Sequence, residues 1–252
     1  MIKHAALLAG RDAVLAATGH HPYVRLTTGG VGTVRGYVRD GVTAWTGPGP
    51  WGPVGCALGD ADGAARLFAA LAASGGLGGA RWLHLPRATG SLLSRHLPIS
   101  HHDDWEFRWA DQPPPRHPAE DRVVPLGPDD EPDVVALLDR AHASSTTRPG
   151  DPRVRAWYGI RASEGARLLA CGGDRSRGGV GFLAGLTVDG AAQGRGLGTA
   201  LTAAMTRRLL SAYGCVALGV MADNRRAIGI YERLGFTAVI DRSSVSLVPS
   251  QI

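Results

Sequence analysis

Between an apolar run at residues 180–188 and a helical repeat that begins near residue 198 lies the segment Gln193-Gly194-Arg195-Gly196-Leu197-Gly198. The N–H groups in the first turn of a helix have no intrahelical acceptor. Glycines ahead of that turn let the backbone fold back so that these groups converge on an anion. The segment therefore demands a strand, a tight loop and a helix in that order. Glycine also makes ordinary turns, and with 36 glycines in the chain the loop alone leaves both readings open. A P-loop is excluded, because it needs Gly-Lys followed by Ser or Thr and the segment has no lysine. Asp223 lies at a loosely suitable distance for the acid of a dinucleotide fold, but the strands between residues 156 and 188 follow one another as an antiparallel-looking meander without crossover helices.

Those strands are expected at Arg122–Leu126, Ala156–Arg161, Arg167–Gly172 and Val180–Val188, with a charged turn at Asp174–Gly179. A helix is expected from Asp129-Asp130-Glu131-Pro132 to about His142, with Val134, Val135, Leu137 and Leu138 as its apolar face. After the loop, Leu201, Met205, Leu209 and Leu210 recur at helical spacing, and Gly214 supplies the stop. Cys215–Met221 reads as a buried strand. Asp223 or Asn224 caps a helix that places Ala227, Ile228, Tyr231 and Leu234 on one face and ends at Gly235. Phe236–Ile240 and Ser244–Val248 are expected to finish the sheet.

Gln112-Pro113-Pro114-Pro115-Arg116-His117-Pro118 marks a seam, since consecutive prolines favour extended geometry and fit neither a helix interior nor a central strand. It divides the chain into an N-terminal domain (1–112), a linker (113–119) and a C-terminal domain (120–252). In the first part Met1–Arg11 reads as a helix. Strands are expected at Tyr23–Leu26, Thr33–Arg39 and Val42–Trp45, with loops at Gly47–Gly55 and Gly75–Gly79. Helix Asp60–Ala73, strand Arg81–Leu85, helix Ser91–Leu97 and strand Trp105–Trp109 then repeat the order of residues 198–248, which raises an internal structural duplication.

Of the 252 residues, 44% are hydrophobic and 19% are charged. That balance is the one found in soluble globular proteins. No apolar run approaches the roughly 20 residues of a membrane span. A cytoplasmic location is expected. The formal charge is +5, with Lys3 the sole lysine among 27 basic residues. These residues are scattered and form no run suited to nucleic acid. Cys56, Cys171 and Cys215 are too far apart for a paired zinc motif and read as reduced core residues. His101-His102-Asp103-Asp104 reads as a solvated turn, because neighbours on an extended segment point to opposite sides and cannot close a metal shell. No metal is expected.

Gly185-Leu186-Thr187-Val188, then Gln193-Gly194-Arg195-Gly196-Leu197-Gly198, then Ala222-Asp223-Asn224 and Ile230-Tyr231-Glu232-Arg233-Leu234-Gly235-Phe236 together resemble the GNAT superfamily of acyl-CoA-dependent N-acyltransferases, over about Val123 to Val248. Gln193, Gly196 and Gly198 fill the places of that family's loop pattern. The resemblance implies an α/β (α+β) fold, a mixed, mostly antiparallel sheet flanked by helices and splayed open after the strand ending at Val188. It implies acetyl-CoA as cosubstrate. Leu186, Thr187 and Val188 would lie along the pantetheine, Gln193, Gly194, Arg195, Gly196, Leu197, Gly198 and Thr199 around the pyrophosphate, and Asn224 and Tyr231 beside the cofactor. The Val188 N–H would donate to the oxyanion, and the Tyr231 phenol would protonate the leaving thiolate.

The residues alone leave Tyr231 open as a core side chain and Asn224 as a helix cap. Asp139 and His142 read as solvated helix residues, and no general base stands out. The leading expectation is an N-acetyltransferase for a primary amine of a small molecule, as monomer or homodimer, with no nucleic-acid or membrane partner. A non-catalytic acyl-CoA-binding or interaction module and a protein or peptide amine acetyltransferase are the alternatives. Trp51–Gly59, before the first domain's long helix, lacks the loop pattern, so one cofactor site is expected.

Overall fold

The computed structural model describes residues 5–30, 32–49, 52–162 and 167–248. The chain forms two compact units, one of residues 1–107, 220–223 and 239–252, the other of residues 108–219 and 224–238. The proline-rich seam at 112–118 lies inside the second unit.

The first unit runs β1 (Ala6–Ala9), α1 (Gly10–Ala17), α2 (Pro22–Thr27), β2 (Arg35–Arg39), β3 (Val42–Gly49), β4 (Gly52–Leu58), α3 (Ala61–Ala73), β5 (Trp82–Pro86), α4 (Gly90–Leu93) and β6 (Ile99–Ala110). It is joined by β12 (Ala238–Leu247) from the far end of the chain, in the strand order β1-β2-β3-β4-β5-β12-β6. β1 to β4 pair antiparallel, β4 and β5 pair parallel, and β12 pairs antiparallel with β5 from Arg242↔Pro86 to Ser246↔Trp82. α3 buries Ala64, Leu67, Phe68 and Leu71 against Ala44, Ala57, Leu83 and Leu85.

Several expectations fail in this unit for identifiable reasons. Ala6–Ala9 is not helical but pairs with β2, so tertiary pairing overrides the helix propensity of an Ala/Leu run. Residues 1–4 of that expected helix fall outside the described residues. Tyr23–Leu26 is helix, not strand, because Pro22 fixes the first turn and His21 Nδ1 accepts the Tyr23 N–H at 3.1 Å. Gly47–Gly49 and Gly52–Gly55 are paired strand rather than loop, while residues 50 and 51 fall outside the described residues. There Gly55 serves close packing: a Cβ on it would stand 2.6 Å from Leu83 Cδ2 and 2.9 Å from Phe68 Cε1. The Ser91–Leu97 helix shrinks to the single turn of α4, His101–Asp104 lies within β6 rather than in a turn, and the two expected final strands are one, β12.

The second unit contains β7 (Val124–Leu126), α5 (Glu131–Ala141), β8 (Ala156–Arg161), β9 (Leu168–Asp174), β10 (Gly181–Val188), α6 (Leu197–Tyr213), β11 (Val216–Met221) and α7 (Arg225–Arg233), with strand order β11-β10-β9-β8-β7. β7 to β10 form the expected antiparallel meander, and β10 pairs parallel with β11. Helices cover both faces. Cys171 packs with Val134, Leu137 and Leu138 of α5. A Cβ on the adjacent Gly172 would meet Met205 of α6 at 2.8 Å. Consecutive strand residues point to opposite faces, so α5 and α6 lie on opposite sides of β9. Gly214 ends α6 in the left-handed region at φ +68°, as glycine at a helix C-terminus commonly does. The mixed, mostly antiparallel, helix-flanked α/β architecture is thus as expected. Cys56, Cys171 and Cys215 are buried thiols, and burial pushes Cys171 up to about 12. Among the described residues no helix is long and apolar enough to cross a membrane.

Candidate active site

β10 and β11 are paired only from Gly181↔Val216 to Leu183↔Leu218, although β10 continues to Val188 and β11 to Met221. Beyond Leu183 the two strands part. A bulge between Ala184 and Thr187 accompanies the divergence, the kind of irregularity that bends a strand. Gly185 there is left-handed at φ +61°, and Thr187 Oγ1 donates to the Gly185 carbonyl at 3.1 Å. The Asp189 N–H donates to Leu169 O at 2.8 Å, and Thr187 and Val188 stand opposite Cys171 and Ala170. Backbone direction alternates along an antiparallel pair, so the N–H and C=O of Leu186 and Val188 face away from β9, into the gap.

At the end of β10, Asp189 caps a 3₁₀ turn (Gly190–Ala192) by accepting the Ala191 N–H at 3.0 Å. Its other oxygen accepts from Arg167 at 2.8 Å and Arg140 at 3.2 Å. The Arg167 hydrogen bond, aided by the Ala191 N–H and Arg140, holds this carboxyl below its usual range. Asp189 is therefore an ionised anchor for the turn, unsuited to accepting a proton. Gly194 (φ +79°) and Gly196 (φ +75°) then bring the chain into α6, where Gly196 is the N-cap. No side chain caps this helix and its first turn holds no acid. The first helical bond runs from Ala200 N to Gly196 O at 2.9 Å. The N–H groups of Leu197, Gly198 and Thr199 are thereby left without intrahelical acceptors.

A cavity of about 580 Å³ lies at this junction. Ten of the residues singled out from the sequence line it: Leu186, Thr187, Val188, Gln193, Gly194, Gly196, Leu197, Gly198, Thr199 and Asn224. Arg195 and Tyr231 do not. Asn224 caps α7, its Oδ1 accepting the Ala227 N–H at 3.1 Å. Tyr231 is partly exposed, with its ring edge-on to Phe236 at 6.1 Å, and burial of the phenol pushes it up to about 12.

The cavity also takes His142, Arg226, Ile230 and Arg233, none of which the sequence reading placed in a site. His142 ends α5, and its Nδ1 lies 3.4 Å from Thr187 Oγ1. Arg226 Nη1 donates to Gln193 Oε1 at 2.7 Å, linking α7 to the glycine loop. Arg226, Ile230 and Arg233 follow the four-and-three spacing of one helical face, the available signal for them. Asp139 is outside the cavity and pairs with Arg148 at 2.6 Å. Within the first unit, His101 pairs with Asp103 and His102 with Asp104, and no group of three metal-capable side chains occurs among the described residues.

Residues 101–236 match the model of the acetyltransferase (GNAT) family, more than half of the chain, and the protein belongs to that family. A GNAT-family protein from Novosphingobium aromaticivorans is similar over 97% of this chain and 98% of its own, with TM-score 0.58 and 22% identity. A GCN5-related N-acetyltransferase from Sphaerobacter thermophilus is similar over 99% and 98%, with TM-score 0.56 and 15% identity. A tandem GNAT protein from the clavulanic acid biosynthesis pathway is similar over 98% and 100%, with TM-score 0.50 and 12% identity. At such identities the likeness is one of fold. No curated protein sequence matches.

Proposed function

We propose that this protein is a cytoplasmic N-acetyltransferase that moves an acetyl group from acetyl-CoA to a primary amine of a small molecule by direct attack in a ternary complex. The observation that carries the reading is the convergence of the unsatisfied N–H groups of Leu197, Gly198 and Thr199 with those of Leu186 and Val188 on one cavity. The first set suits a pyrophosphate and the second an extended pantetheine chain. Arg226 and Arg233 add positive charge to the same wall. Bound there, acetyl-CoA supplies a thioester carbonyl open to nucleophiles.

The chain's own groups then have distinct tasks. The Val188 N–H, turned into the gap, is the donor for a developing oxyanion. His142, on the cavity wall, takes the proton of the incoming amine. Tyr231 keeps its proton on Oη throughout the neutral range because burial pushes the phenol to about 12, which suits a donor to a departing thiolate. Its part rests on motif position and protonation, since it does not line the cavity, and the test is aimed there. Tyr231→Phe should lower kcat about 100-fold with acetyl-CoA affinity unchanged. Unchanged turnover with a competent amine returns Tyr231 to packing against Phe236. Between about pH 6 and about pH 10 the wild-type rate should rise to a plateau set by the amine, with no falling limb from Tyr231.

Residues 1–112 are proposed to be a degenerate GNAT-like unit. Its order β4-α3-β5-α4-β6, with β4 parallel to β5, repeats β10-α6-β11-α7-β12, with β10 parallel to β11. Full-length likeness to a tandem GNAT protein supports this reading. An amine panel followed by free-thiol release separates the enzyme from an acyl-CoA-binding module. Binding without turnover across small amines, peptides and proteins would favour the module.

A further inference from the structure

The segment Pro113–Pro118 has the composition of a linker, but Pro114 and His117 are held by specific hydrogen bonds. Pro114 is buried, and its carbonyl accepts from Arg207 Nη2 at 2.9 Å. Arg207 is on α6, and its Nε lies 3.2 Å from Glu120 Oε2. The other oxygen of Glu120 accepts the His117 backbone N–H at 2.6 Å. Burial opposes ionisation of Glu120, yet the Arg207 pair and the His117 N–H outweigh it and hold the carboxyl below its usual range. His117 Nδ1 in turn accepts the Ala119 N–H at 3.2 Å, so the neutral imidazole carries its proton on Nε2.

That Nε2 stands 3.0 Å, and Cε1 3.2 Å, from the point a Cβ on Gly196 would occupy. The imidazole edge thus rests on the left-handed glycine that begins α6. Arg207 sits three turns further along the same helix, a separation of about 16 Å from the rise of an α-helix. The segment is therefore fixed to α6 at one point by Arg207 and bears on its N-terminus at another.

We propose that His117 is a positioning residue for the cofactor loop: carried on a strap clamped by Glu120 and Arg207, it holds Gly196 in the geometry that presents the α6 N–H groups to a pyrophosphate. The proposal rests on the reading of the loop as an acyl-CoA site. It also accounts for a proline-rich strap, since residues with restricted backbones hold a lever in place with little ordering left to lose.

The test compares acetyl-CoA with S-acetylpantetheine, which has the same thioester and no pyrophosphate. In His117→Asn the shorter side chain still accepts the Ala119 N–H as an Asx turn but does not reach Gly196. Its affinity for acetyl-CoA by calorimetry should fall about 10-fold, with kcat and the KM for S-acetylpantetheine within about 2-fold of wild type. His117→Gln, whose longer side chain again reaches Gly196, should recover most of the loss. Glu120→Gln, which keeps an acceptor for the His117 N–H but weakens the Arg207 clamp, should lose about 3-fold. Equal losses on both acyl donors, or wild-type acetyl-CoA affinity in His117→Asn, would overturn the role of His117 while leaving the loop assignment standing. A wild-type protein that binds no acetyl-CoA would overturn both.

Discussion

α3 and α6 each cross between two parallel strands, yet they begin in opposite ways. Asp60 caps α3, its carboxylate accepting the Gly63 N–H at 2.7 Å, so the positive end of that helix is already occupied by an anion belonging to the chain. α6 begins at Gly196 with no side chain hydrogen-bonded to its first turn. The strand pairs differ likewise. β4 and β5 pair up to Cys56↔His84, and where they part the Arg242 guanidinium fills the space, Nη2 donating to Ala57 O at 2.8 Å and His84 O at 2.7 Å over the Tyr23 ring. β10 and β11 part after Leu183↔Leu218 with no such plug among the described residues, and Leu186, Thr187 and Val188 beyond that point line a cavity. One architecture can be either a packed framework or a site, and the choice turns on whether the chain satisfies its own loose ends.

The comparison can be broken experimentally, and the largest effect should come from the open helix. Gly196→Val imposes a branched side chain on a positive φ and pushes it against His117. It should weaken acetyl-CoA at least about 100-fold in calorimetry. Binding at wild-type strength would remove the glycine loop from the site. On the closed side, Arg242→Ala strips the donor from the buried Ala57 carbonyl and the partly buried His84 carbonyl and should cost about 3 kcal/mol in urea unfolding. Acetyl-CoA affinity and a stoichiometry of about one per chain should persist, because Asp60 still fills the α3 terminus; a second equivalent would show that Arg242 alone kept that cleft shut. Asp60→Ala should cost about 1 kcal/mol with no change in acetyl-CoA affinity, measured the same way. The smallest effect is expected for Gly198→Ala. That position has no positive φ and its new Cβ would lie 3.4 Å from Val188 Cγ2. Such a contact is ordinary, so affinity should stay within about 2-fold.

Helix ends and the glycine loop before α6 were the legible part of this fold. Asp60, Asn224 and Gly214 announce helix ends through interactions within a few residues, and the Gln193–Gly198 loop is likewise local, so ten of the expected lining residues do meet in one cavity. What escaped depends on distant partners. Arg242 reads as an ordinary strand residue until Ala57 and His84 are brought to it, and β1 becomes a strand only because β2 pairs with it. His117 sits in a stretch whose prolines mask its contact with Gly196. Arg226 and Arg233 resemble solvated helix residues, because their helical face gains meaning only from the cavity opposite. Tyr231 shows the converse: its motif is conspicuous, but it is not among the residues lining the cavity, and its ring stands edge-on to Phe236.

The placement of β12 bears on how the polypeptide is made. The first unit takes its β5 neighbour from residues 242–246, and Arg242 among them supplies the donor that Ala57 and His84 share. During synthesis, at about 5–20 residues per second, the N-terminal segment emerges first but waits several seconds for that strand. Meanwhile the β5 edge remains available for wrong partners, a hazard that falls on the first unit before the second. A chain lacking residues 242–246 would therefore carry a first unit without its closing strand, and protease resistance of β2 to β5 should appear only once that strand is present and free to pair.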